Sequence, residues 1–197
     1  METKNFVITG VGGQGTILAS DVLAAVGLAA GYDVKKSDIL GLAVRGGAVV
    51  GHVRWGERVY SPIVPDGCVD YLLAFEILEG LRWLKQVRPE GTILVNQQEI
   101  YPVSAITGGQ EYPARGRADE AIKSAVERVL EVPGVEIALE VGNSKVVNVV
   151  LLGVLSGLLS VEPEIWESAL KERVPSRFVD LNLQAFHKGR EFAQQRR

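Results

Sequence analysis

The stretch Asn5-Phe6-Val7-Ile8-Thr9-Gly10-Val11-Gly12-Gly13-Gln14-Gly15 decides how this chain is read. A β-prone run ends in glycines spaced G-x-G-x-x-G at Gly10, Gly12 and Gly15. Thr16–Ala30 follows at helical length, rich in alanine and leucine, and Gly31 supplies a stop. Tyr32–Lys36 reads as a second strand, which completes a βαβ unit. Glycines in such a turn let the backbone approach a phosphate, and the helix behind offers free N–H groups and a partial positive charge. Two readings of Gly10, Gly12, Gly13, Gln14 and Gly15 stand side by side: contact with an anionic group, or close strand–helix packing alone.

Outward from this unit the pattern continues as α/β. Ala48–Trp55 is β-rich, and Gly56-Glu57 would turn it into Arg58–Ser61 as an inserted hairpin. Asp70–Phe75 reads as a buried strand, Ile77–Val87 as a helix and Gly91–Asn96 as another strand. Gln97–Arg115 is an exposed excursion. Arg117–Val132 reads as an amphipathic helix with an Asp119/Lys123 pair, and Val135–Val141 as a further strand. Val146–Leu159 is a helix apolar on nearly all sides, which points to a substantial interface beside it, and two short helices end the chain. The expected architecture is a doubly wound, mostly parallel Rossmann-like sheet with an inserted β-hairpin, residues 1–197 forming a single domain.

Composition narrows the function. Of 197 residues, 21 are Lys or Arg and 24 Asp or Glu, a net charge of -3 that offers no field for nucleic acid. Cys68 is the single cysteine, so the chain can hold neither an internal disulfide nor an iron–sulfur cluster or Cys-type zinc site. Such usage suits a cytoplasmic protein. Val146–Leu159 is shorter than the roughly 20 residues that span a bilayer, so no membrane association is expected.

Two further clusters flank the glycine loop in this reading. Ser37 and the segment Arg45-Gly46-Gly47 follow the second strand, where open α/β sheets gather ligands. A guanidinium between small residues suits a phosphate or carboxylate, and equally an ordinary surface turn. Asn143 and Lys145 precede the apolar helix; Asn143 or Ser144 reads as its cap, and Asn148 needs a hydrogen-bond partner if buried. A dinucleotide site further requires an acid closing the second strand, and Val34-Lys35-Lys36-Ser37 supplies none, Asp33 standing at its start.

Gly10–Gly15, the run from Arg45 through Val50-Gly51-His52-Val53-Arg54, and Asn143–Asn148 together resemble the gamma domain of the 2-oxoacid:ferredoxin oxidoreductases. Tyr60-Ser61-Pro62, Leu73-Ala74-Phe75-Glu76, Leu78–Arg82 and Pro175–Phe186 are most similar to the beta subunits of its indolepyruvate-specific branch. Leu42-Ala43-Val44 before Arg45, and Gly51 where serine is common, depart from the pattern. The resemblance implies a subunit without cofactor or catalytic residues of its own. A partner alpha subunit would carry thiamine diphosphate and iron–sulfur clusters, electrons would leave to ferredoxin, and coenzyme A would accept the acyl group. A homodimer of the isolated chain is a further expectation. The alternatives are a self-sufficient NAD(P)-dependent reductase and an assembly module whose glycine loop binds nothing.

Overall fold

The computed structural model describes residues 2–41, 46–106 and 112–196. Strand β1 (Lys4–Val11) leads through the glycine turn into α1 (Thr16–Ala29), followed by β2 (Asp33–Leu40), β3 (Ala48–Gly56) and β4 (Val69–Ala74). Then come α2 (Ile77–Trp83), β5 (Val87–Asn96), α3 (Val103–Ile106), α4 (Arg115–Ala125) and β6 (Arg128–Val132). Four helices close the chain: α5 (Gly134–Glu140), α6 (Val147–Leu158), α7 (Pro163–Arg173) and α8 (Val179–Gln194). Among the described residues the strands form one sheet ordered β2-β3-β1-β4-β5-β6. Strands β1, β4, β5 and β6 are mutually parallel, whereas β3 runs antiparallel to both its neighbours, β1 and β2.

The mostly parallel sheet with a hairpin inserted is the architecture expected, but the arms of the hairpin are β2 and β3. Arg58–Ser61 forms no strand. The connection from Gly41 to Gly47 is too short for a parallel crossover, which needs a dozen residues or more, so β3 doubles back and enters between β2 and β1. Strand β2 also runs past the Lys36 expected as its end, to Leu40, and takes Ser37 and Asp38 into the ladder opposite His52 and Gly51.

Side-chain alternation divides the core. Phe6, Ile8, Leu73, Phe75 and Leu94 face α1 and the four C-terminal helices, while Val7, Leu72, Ala74, Ile93 and Val95 face α2 and α4. Trp55 anchors the first face, its ring 4.7 Å from Phe6 and 5.5 Å from Tyr32.

Between residues 115 and 159 the structure differs from four expectations. The helix expected over 117–132 stops at Ala125, and Arg128–Val132 becomes the outermost parallel strand beside Thr92–Asn96. Val135–Val141 is helix rather than strand: its buried residues are Gly134, Ile137 and Ala138, a helical i, i+3, i+4 pattern. The direct ion pair of Asp119 is with Arg115 and that of Lys123 with Glu131, while Asp119 acts on Lys123 only through its charge. The fourth concerns α6. Val147 through Gly157 are buried against the rest of this chain, so core packing accounts for the apolar character of the helix and the inference of an interface from it does not follow. Helix α8 lies against it so closely that a Cβ on Gly153 would stand 2.1 Å from the Phe186 carbonyl oxygen, and one on Gly189 2.0 Å from that of Val150. No helix among the described residues is long and apolar enough to cross a membrane.

Helix α2 carries a buried acid with a testable cost. Glu76 caps the helix, accepting from the Glu79 amide at 2.9 Å. Glu79 itself is buried, and among the described residues its Oε2 has no hydrogen-bond partner and its ion-pair partner is Arg82 at 3.7 Å. Burial raises its pKa; Arg82 opposes and Glu76 reinforces the shift. A carboxyl with a raised folded pKa adds stability below its unfolded pKa and loses it as the pH climbs through the folded one. Glu79→Gln therefore stabilises the fold at neutral pH by about 1 kcal/mol. Urea unfolding at a series of pH values should show that gain shrinking as the pH falls toward the reference 4.5.

Candidate functional site

The carboxyl edge of the sheet carries a cleft of about 470 Å³ where the glycine loop meets the β2–β3 hairpin. Gly12, Gly13, Gly15 and Thr16 form its polar floor; Val11, Ile17, Leu40 and Val49 give it apolar walls. The hairpin closes over the loop through a hydrogen bond from the Gly12 amide to the Gly47 carbonyl, 2.8 Å. Gly13 and Gly15 sit at φ 106° and 80°, backbone that favours glycine. At Gly15 there is a second constraint. Its carbonyl accepts from Asn148 Nδ2 at 3.3 Å, and a Cβ there would stand 2.4 Å from the same nitrogen.

Helix α1 starts at this floor with no capping side chain and no acid in its first turn. Its uncapped amides and dipole leave the floor electropositive. One turn ahead of Asn148, Lys145 is exposed. The acids of the neighbouring strand are committed elsewhere. Asp38 accepts from Ser20 Oγ at 2.8 Å and pairs with Lys36 at 2.6 Å. Burial works against the Lys36 charge, but its hydrogen bonds to Asp21 and Asp38 outweigh burial and hold its pKa above the ordinary value. With β3 wedged between β1 and β2, the end of β2 is a strand further from the glycine loop than in a dinucleotide fold. Nearby His52 is buried, and burial lowers its pKa despite the opposing charge of Asp38.

Of the residues singled out from sequence, Gly12, Gly13 and Gly15 line the cleft, and Gly47 touches it through its bond to Gly12. Gly10 lies behind, in the last part of β1, where a Cβ would crowd Gln14 and Phe75. Gln14 turns its side chain inward, away from the cleft, to Val11, Phe75 and Gln98. Ser37 is mid-strand and outside the cleft; Gly46 is exposed in the hairpin turn at φ 75°. Asn143 Oδ1 accepts from the Lys145 amide at 2.9 Å, and this cluster reaches the loop through Asn148 instead. Arg45 lies outside the described residues. The sequence reading missed the apolar wall, Ile17, Leu40 and Val49. No local pattern marks them, because the wall forms only when β3 folds back beside β2.

No group of three or more His, Cys, Asp or Glu side chains that could hold a metal occurs among the described residues. Comparison with known proteins places this geometry in context. Residues 5–192 match the family model described as pyruvate ferredoxin/flavodoxin oxidoreductase. Indolepyruvate oxidoreductase subunit IorB of Thermococcus kodakarensis is 37% identical over 196 residues, 96% of this chain and 95% of that one. Among solved structures, the gamma subunit of a keto/oxoacid ferredoxin oxidoreductase from Geobacter sulfurreducens superposes with a TM-score of 0.71 at 26% identity, covering 98% and 99% of the two chains. The 2-oxoglutarate:ferredoxin oxidoreductase of Magnetococcus marinus, solved with 2-oxoglutarate, coenzyme A and succinyl-CoA bound, shares the fold at a TM-score of 0.77 and 21% identity. The match there covers 99% of this chain and 32% of that one.

Proposed function

This chain belongs to the pyruvate ferredoxin/flavodoxin oxidoreductase family, and we propose that it is the small subunit of an indolepyruvate:ferredoxin oxidoreductase. In that assembly a partner subunit holds thiamine diphosphate and iron–sulfur clusters. The 2-oxoacid loses carbon dioxide there, its electrons pass to ferredoxin, and its acyl group goes to the thiol of coenzyme A. The donor set of this chain does not fit a cluster: it has one cysteine, Cys68, exposed between β3 and β4. Residues 1–197 act as one gamma-type domain, in the cytoplasm, with no redox centre of their own.

The observation that carries the reading is the carboxyl-edge cleft. An uncapped helix start suits an anionic group, and the walls of Val11, Ile17, Leu40 and Val49 suit a less polar arm beside it. Coenzyme A combines the two, with phosphates at one end and a pantetheine chain at the other. The commitment of Asp38 to Ser20 and Lys36, and the intervening β3, count against an NAD(P)-dependent reductase.

The test is co-purification from the native organism. A larger subunit containing iron should accompany this chain, and the pair should oxidise arylpyruvates with coenzyme A and ferredoxin. The isolated chain should be colourless and inactive. Stoichiometric iron in the isolated chain, or turnover by it alone, would sink the proposal.

A further inference from the structure

We infer that Gln14 is a positioning residue for coenzyme A, holding the glycine loop in shape from behind without touching the ligand. The inference rests on the reading of the cleft as the coenzyme A surface. A polar side chain among the glycines of such a loop would be expected to face the ligand, yet Gln14 does not line the cleft. Its Oε1 accepts from the Val11 amide at 2.7 Å. Its Nε2 donates to the Phe75 carbonyl at 2.9 Å and to Gln98 Oε1 at 3.0 Å.

Those contacts join elements far apart in sequence at the carboxyl edge. Gln98 Oε1 also accepts from Asn96 Nδ2 at 3.2 Å, and the same nitrogen donates to the Phe75 carbonyl at 3.0 Å. Asn96, fully buried, accepts the Gly134 amide on its Oδ1 at 3.1 Å. The loop is thus tied through one side chain to the ends of β4 and β5 and to the start of α5. Its other side-chain tether is Asn148 on Gly15. Gly12, Gly13 and Gly15 have no side chains with which to fix themselves, so, beyond the bond of the Gly12 amide to Gly47, the direction in which their amides point depends on these two anchors. A networked amide of this kind is worth more than the same bonds counted singly, and removing it frees the loop while the cleft keeps its lining.

The test uses the assembled complex and separates binding from folding. Gln14→Met keeps the length of the side chain and removes its donor and acceptor. Coenzyme A KM should rise about tenfold, with kcat at saturating coenzyme A and the 2-oxoacid KM within about twofold of parental. Gln98→Met, which leaves the loop sequence intact, should move the coenzyme A KM in the same direction by a smaller factor, and it stands in if Gln14→Met fails to assemble. A purely structural glutamine would lower the melting temperature and leave the coenzyme A KM unchanged in both variants, which overturns the inference. Leu40→Asp in the cleft wall is measured alongside. If it too leaves the coenzyme A KM at the parental value, the cleft is not the coenzyme A surface, and the role of Gln14 falls with it. A raised KM in Leu40→Asp with parental values in both glutamine variants overturns the positioning role alone.

Discussion

Gly189→Ala lowers the stability of this protein by about 3 kcal/mol or more, and Gly189→Leu prevents it from folding. The sign is the informative part. In an open helix, alanine in place of glycine stabilises by about 1 kcal/mol, because glycine has more backbone freedom to lose. At position 189 the new Cβ would stand 2.0 Å from the Val150 carbonyl oxygen and 3.1 Å from the Val154 amide nitrogen. Both atoms are backbone of α6, so no rotamer change relieves the overlap and the helices must separate. Helix α6 cannot retreat, since Val149 through Leu152 and Val154 are fully buried on its other sides. Moving it opens gaps against α1, α5 and the sheet, at a cost that grows with each void. For a chain of this size 3 kcal/mol corresponds to a melting temperature lower by about 6–12 °C. Gly153→Ala, 2.1 Å from the Phe186 carbonyl oxygen, should behave alike. Gly116→Ala in α4 meets nothing within 4 Å and should leave the melting temperature unchanged or raise it. Thermal unfolding of the three variants decides the matter: a Gly189→Ala protein as stable as the Gly116→Ala one would mean that α6 and α8 do not pack in this way.

That contact also explains why the sequence misleads about α6. An all-apolar helix is either buried or partner-facing, and composition alone does not choose between them. The choice is made by Gly153, Gly157 and Gly189, three small residues that let α8 approach near enough to cover what a bulkier pair would leave open. Elsewhere the sequence is legible where local pattern and tertiary demand agree. The opening βαβ unit, β4 and the core of β5 fall where apolar runs end in turn residues. The reading fails over 117–141, where Ala118, Ile122 and Val126 keep helical spacing up to the point at which β5 needs a neighbour. Thr92 through Asn96 offer an open ladder, and Arg128–Val132, rich in valine, fills it. At the site, the glycines announce themselves because their spacing is a local property. The inward turn of Gln14 does not, because the partners of its Nε2 lie 61 and 84 residues away. Nor does the apolar wall, which exists because a short connection folds β3 back and carries Leu40 and Val49 to the loop.

With the cleft read as the coenzyme A surface, Leu40→Asp should raise the coenzyme A KM of the assembled enzyme about ten- to a hundredfold. Leu40 closes β2 and is 59% exposed, so the fold gives up little when it changes; surface substitutions of this kind usually stay within about 0.5 kcal/mol. What it gives up is on the ligand side. Covering a leucine side chain with a ligand is worth up to about 1.5–3 kcal/mol, and a half-exposed one offers a good part of that. The aspartate adds a carboxylate facing an electropositive floor built from the start of α1, where, on the proposed reading, it would compete with a coenzyme A phosphate for the same uncapped amides. On the proposed reading of the cleft both effects weaken coenzyme A binding, and neither touches a centre that would lie on the partner. The rise should therefore appear in KM for coenzyme A alone, with kcat at saturation and KM for the 2-oxoacid near parental. Leu40→Ala removes the contact without the charge, so its KM should fall between parental and Leu40→Asp. Steady-state kinetics at several ionic strengths separate the two contributions: added salt should narrow the gap between the aspartate and alanine variants by screening the carboxylate, and leave the gap between alanine and parental in place. Coenzyme A kinetics unchanged in a folded, assembled Leu40→Asp enzyme would leave the glycine loop with a packing role and this chain with the role of an assembly module.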